Sequence, residues 1–133
     1  MKPVQLAYVL LALLFIVPFA RADQLEPYEG PWRQVRSNAG DCSKCLITVR
    51  RLGINLEVVA NNGWRATLRP PPKYLREKLP SVEGEGFWET TTGGHRKKIS
   101  IKVRLTRDEA KLRMALITGY PAEPRTIEAT FER

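Results

Sequence analysis

Cys42-Ser43-Lys44-Cys45 is the first place in this chain where residue types and spacing can do chemistry. Thiol–disulfide exchange needs such a pair at a helix N-terminus, where the helix dipole lowers the pKa of a thiol. Here Leu46-Ile47-Thr48-Val49 follows, which is strand material, so that support is missing. Metal binding by two thiolates needs further ligands, and the chain has a single histidine, His95. Covalent haem attachment needs a histidine directly after the motif, where Leu46 stands. The pair reads as a short structural disulfide of an oxidising compartment, with a thiol-disulfide enzyme as an alternative.

Residues 90–98, Thr-Thr-Thr-Gly-Gly-His-Arg-Lys-Lys, form a second constellation. Glycines expose backbone N–H groups, the hydroxyls donate and cations follow, a set that can seat a phosphate, sulfate or carboxylate. The spacing is not that of a P-loop, and a solvated hairpin turn with basic flanks competes with it. A third constellation is a cationic stripe. Lys98, Lys102 and Arg104 alternate with apolar residues, and Lys111 and Arg113 do the same in the next segment. A turn centred on Asp108-Glu109 sets Arg104 opposite Arg113, and a four-residue turn sets it beside Lys111. Either register leaves like charges together, which a ladder disfavours, unless Glu128 or Glu132 neutralises them. The anion-binding candidates are therefore Thr92, Gly93, Gly94, Arg96, Lys98, Lys102, Arg104, Lys111 and Arg113. No serine or cysteine is placed beside His95 by motif, and Glu83 and Glu85 sit in a glycine-containing stretch where spacing proves nothing. No enzyme, cofactor or metal is expected.

These groups need elements to hold them. Apolar and polar residues alternate in segment after segment, the period of strands with one buried face. Three strands follow in a row between Cys45 and Arg69. A turn at Leu52-Gly53 sets Val49 opposite Leu56 and Ile47 opposite Val58. A three-residue loop at Asn61-Asn62-Gly63 pairs Leu56 with Leu68 and Val58 with Ala66, and leaves Gly63 free to turn left-handed. A two-residue loop there mixes the faces. Further strands are read at residues 32–36, 87–92, 98–105, 111–118 and 126–131, with 81–86 as a loop carrying two glycines. Pro70-Pro71-Pro72 ends the third strand, and Leu75 and Leu79 predict one short helix after Pro72.

About seven or eight short strands at this spacing predict an all-β fold. A small antiparallel up-and-down barrel is expected, with a β-sandwich as the alternative. Trp32, Trp64 and Phe131 should be buried, with Phe131 in a strand paired to that of Trp32 if the sheet closes. An interior built from Val49, Leu56, Val58, Leu68, Ile101, Val103 and Met114 should be mostly filled, which favours a surface site over a large cavity.

Residues 1–22 stand apart from this pattern. Lys2 precedes an apolar run from Leu6 to Phe19, and Ala20-Arg21-Ala22 is a small-residue cleavage pattern, so the segment reads as a signal peptide, with an uncleaved anchor as the competitor. Residues 23–30, polar and interrupted by Pro27, read as a flexible arm, and 31–133 as one domain. The 133 residues carry 22 basic and 14 acidic side chains. Cleavage removes Lys2 and Arg21 and no acid, so a basic excess remains. A basic exported domain points to an anionic envelope component or a protein with an acidic patch. Export to the periplasm or outside the cell makes nucleic acid an unexpected partner, and cleavage leaves no stable membrane insertion.

Gly30-Pro31-Trp32, a G-x-W opening the first strand after a short polar arm, resembles the start of lipocalin and related calycin barrels. The resemblance implies a closed antiparallel meander that holds a ligand or blocks a partner at its open end. It also implies a tryptophan near the closed end beneath an arginine of the last strand, with Arg125 or Arg133 in that place. The chain is shorter than a lipocalin and is similar in size to avidin-like barrels and to small secreted bacterial metalloprotease inhibitors. Those inhibitors have a cysteine soon after their G-x-W, as Cys42 is here, and an arm that enters the protease. The expected function is an exported, non-enzymatic binding module for an anionic partner, with a secreted hydrolase inhibitor acting through its arm as an alternative.

Overall fold

The computed structural model describes residues 25–70 and 81–133. Residues 1–22, read as a signal peptide, and the helix expected after Pro72 lie outside the described residues. Eight strands run in chain order: β1 Gly30–Ser37, β2 Leu46–Leu52, β3 Asn55–Ala60, β4 Trp64–Arg69, β5 Ser81–Thr92, β6 His95–Asp108, β7 Lys111–Thr118 and β8 Arg125–Glu132. Each pairs antiparallel with its neighbour, and β8 returns to β1, so the sheet is a closed up-and-down barrel. A closed sheet leaves no long edge exposed around its girth, and the barrel replaces the sandwich alternative.

Alternation builds the interior. Ile101, Val103 and Leu105 of β6 and Leu112, Met114 and Leu116 of β7 are buried, while Lys102, Arg104, Lys111 and Arg113 between them are exposed. Trp32, Trp64 and Phe131 are buried as expected, and Phe131 pairs with Gln34 across the β1–β8 seam. No polar or charged residue is buried among the described residues, so the interior is a continuous apolar core.

Three registers compare directly with the sequence. In β3–β4, Leu56 faces Leu68 and Val58 faces Ala66, around a loop in which Gly63 holds φ of 105°. In β2–β3 the turn falls one residue later, at Gly53-Ile54, so Val49 meets Val58 and Ile47 meets Ala60. The shift moves each partner by two positions, which keeps the same residues inward. In β6–β7 the strands extend to a tight Glu109-Ala110 turn, so Arg104 faces Ala115 and Arg113 faces Thr106. The expected contact of Arg104 with Arg113 or Lys111 is not made.

The stretch read as a loop, 81–86, is the first half of β5. Gly84 and Gly86 weaken a strand by propensity, but here they face Leu68 and Ala66 of β4 at a distance that a side chain forbids. Within the segment 23–30, read as a flexible arm, residues 25–29 pack against the barrel as a plug. Glu26–Tyr28 is a 3-10 turn in which residues three apart eclipse, so Leu25 and Tyr28 share one side and both are buried. Glu29 adds a contact with Arg51 at 3.7 Å.

Candidate functional site

The plug defines a closed end. Trp32 lies there at zero exposure, and its Nε1 donates to the Tyr28 carbonyl at 2.8 Å. The Arg133 guanidinium sits over its ring at 4.3 Å, and Arg107 at 5.3 Å. Arg133 also donates to the Pro27 carbonyl at 2.9 Å, tying the end of β8 to the plug. Burial raises the Tyr28 phenol above its ordinary pKa, opposed in part by a hydrogen bond to the Arg107 backbone and by the Arg107 charge. All of this is structural chemistry.

The opposite end is open. Ile47, Trp64, Trp88, Met114, Leu116, Ile127 and Phe131 wall a cavity of about 240 Å³ at the mouth, with Gln34, Asp41 and Asn62 at its rim. Above it passes the β1–β2 connection, residues 38–45, whose Cys42 and Cys45 are joined in a disulfide. Two asparagines hold this strap. Asn38 donates to the Thr126 carbonyl at 3.3 Å and accepts from the Glu128 N–H at 2.9 Å. Asn61 donates to the Lys44 carbonyl at 2.7 Å and accepts from the Leu46 N–H at 2.9 Å. The Trp88 indole donates to the Asn62 carbonyl at 3.1 Å, fixing one wall. Cys45 leads into strand β2, so no helix dipole acts on either sulfur.

The sequence candidates separate into two groups. Thr92, Gly93 and Gly94 form a tight hairpin turn; φ is 59° at Gly93 and 81° at Gly94, the pattern of a two-residue primed turn. Nothing lies within 4 Å of the position a Cβ would take at either glycine, so these residues form a tip without a pocket around them. Arg96, just beyond, is exposed.

Lys98, Lys102, Arg104, Lys111 and Arg113 do share the outer face, but they are not a bare stripe. Lys98 reaches Glu89 at 3.8 Å, Arg104 reaches Glu83 at 3.1 Å, Lys111 reaches Glu132 at 3.7 Å and Arg113 reaches Asp108 at 2.8 Å. Lys102 lies opposite Glu85 and over the Tyr120 ring at 4.7 Å. Glu132 is one of the two neutralising acids expected; Glu128, opposite Ala115, holds none of these cations. The decisive acids, Glu83, Glu85 and Glu89, come from β5, and their odd-numbered alternation is visible in the sequence once 81–86 is read as strand. Arg104→Glu, which sets like charges against Glu83, is expected to cost less than about 1 kcal/mol, because the pair is more than half exposed. Urea denaturation measures this.

Some of the cations without an acid in salt-bridge range among the described residues stand at the mouth end, while others, Arg107 and Arg133 among them, lie at the plug. Lys44 of the strap, Arg65 near the start of β4 and Arg125 at the start of β8 are at the mouth end, with Arg96 and Lys97 on the hairpin, all exposed. None of them lines the cavity, whose one charged lining residue is Asp41. Asp41 and Glu123 oppose them there. Neither the plug nor the strap joins three His, Cys, Asp or Glu side chains into a metal-binding group, nor does any other part of the described residues.

Comparison with protein-family models, with curated proteins and with solved structures returns no match to this chain.

Proposed function

We propose that this chain is an exported, non-enzymatic binding module of lipocalin-like type whose site is the mouth of the barrel. It takes a small amphipathic anion, apolar body inward and acidic group outward, toward the exposed cations at that end of the barrel. The observation that carries this is the cavity with apolar walls and a polar rim, beneath a strap held at both ends. The lipocalin-like reading draws support from Trp32 beneath Arg133 at the closed end, the place the resemblance gives to an arginine of the last strand. The disulfide fits an oxidising compartment outside the cytoplasm.

Size narrows the ligand. An apolar cavity of roughly 150 Å³ holds benzene, so about 240 Å³ suits one ring or a short acyl chain and excludes a sterol or haem. The basic outer face loses its place as the primary anion site, since four of its five cations already face an acid within 4 Å.

Octanoate is expected to bind by calorimetry, and neutral octanamide to bind up to about fivefold more weakly, because exposed charge pairs contribute no more than about 1 kcal/mol. Ile127→Trp, which fills the half-buried mouth, should remove binding and keep the fold. Equal binding by that variant, or no heat with either ligand or with phenylacetate, overturns the proposal.

A further inference from the structure

The β5–β6 hairpin outruns the barrel. β4 pairs with it only as far as Trp88, and β7 only from Ile101 onward. Residues 95–100 of β6 therefore pair with β5 alone, and no other backbone hydrogen bond among the described residues reaches them. Every second residue of such a strand turns its N–H and C=O to the free side, which makes a template for one more strand. The turn at Gly93-Gly94 has the twist that the flanking strands require, so the ribbon is formed without a partner.

The side chains decide which strand fits. Arg96, Lys97 and Lys98 are exposed, and among the described residues Glu89 is the one acid in salt-bridge range of any of them. A second copy of this edge sets cation against cation, which disfavours pairing between two ribbons. We infer that the free edge of β6 takes an extended acidic segment of a partner protein, by backbone pairing along residues 95–100 with acidic side chains against Arg96, Lys97 and Lys98. Backbone bonds hold the segment, and charge selects it. The inference does not use the mouth: octanoate binding and its loss in Ile127→Trp report on that site separately.

The test is hydrogen exchange on the full chain with a ten-residue peptide, three Glu-Glu-Thr repeats and a final Glu, which carries acids on both faces of a strand. At saturation, amides within residues 95–100 should exchange at least tenfold more slowly, with the remaining barrel amides unchanged. Binding should weaken steeply as salt is raised to physiological strength. The Arg96→Glu/Lys97→Glu variant should lose the acidic peptide and gain a Lys/Thr peptide of the same length. Three results overturn the inference: no slowing within 95–100 at saturating peptide, equal protection of the wild-type chain by the Lys/Thr peptide, or equal protection by dextran sulfate, which has no backbone to pair.

Discussion

Trp32→Ala is expected to lower the stability of this protein by about 3–5 kcal/mol, a large part of what a domain of this size has. The ring is fully buried, so the substitution leaves a cavity at the closed end. Three further contacts go with it. The Tyr28 carbonyl loses its donor, and the Arg133 and Arg107 guanidinium groups lose the ring they cover. Trp32→Phe separates these effects. It keeps an aromatic ring but strands the Tyr28 carbonyl, so its cost should be about 1–3 kcal/mol. Arg133→Ala should cost about 1 kcal/mol, since the guanidinium is exposed and gives up one cation–π contact and its bond to Pro27. Urea denaturation of the three variants should return that order. A Trp32→Ala variant within 1 kcal/mol of the parent would mean that the plug and β8 close the barrel without it.

The parts of this fold that were legible in the sequence are those where a wrong choice turns apolar residues outward. A two-residue loop at Asn62-Gly63 exposes Leu56 or Leu68, so the three-residue loop can be read from residues alone, and the structure has it. The β2–β3 turn lacks such a check. Turns at Leu52-Gly53 and at Gly53-Ile54 both keep Ile47, Val49, Leu56 and Val58 inward, and hydrophobic pattern cannot choose between them. The β6–β7 hairpin fails for the same reason, since all its plausible registers keep Leu105 and Leu112 inside. That single ambiguity created the expected clash of Arg104 with Arg113.

Site residues were harder to read than strands. The cations could be named, but the acids facing Lys98, Lys102 and Arg104 are on β5, which glycine content disguised as loop. The mouth was out of reach for a different reason. It exists because strands distant in the chain close into a ring and because Asn38 and Asn61 tie a strap to β8 and to the β3–β4 loop, contacts 88 and 17 residues apart. Nothing in Asn38 or Asn61 marks it for that part before the barrel is built.

Those two β5 glycines make the second strong test of the structure. Along the inward side of β5 the sequence is Val82, Gly84, Gly86 and Trp88, opposite β4 residues that are themselves buried. A Cβ on Gly86 would overlap the Arg65 carbonyl oxygen and lie 2.6 Å from the Ala66 Cα; one on Gly84 would overlap the Thr67 carbonyl. Both obstacles are backbone in a paired strand, so no rotamer change relieves them, and β4 has to move. Gly86→Ala is therefore expected to cost about 3 kcal/mol, the upper end for overpacking, and Gly84→Ala about the same. Together they should abolish a cooperative unfolding transition, because they push on one ladder and cannot relax independently. Gly93→Ala is the control. Its φ of 59° strains an alanine, but nothing lies near the added methyl, so the cost stays at about 1–2 kcal/mol and the barrel is untouched. Near-ultraviolet circular dichroism reads the difference directly, since Trp64 and Trp88 are paired across the same β4–β5 seam. If Gly86→Ala unfolds at the same urea concentration as Gly93→Ala with that signal intact, β4 and β5 do not approach as closely as described, and the tight closure of the barrel on this side is wrong.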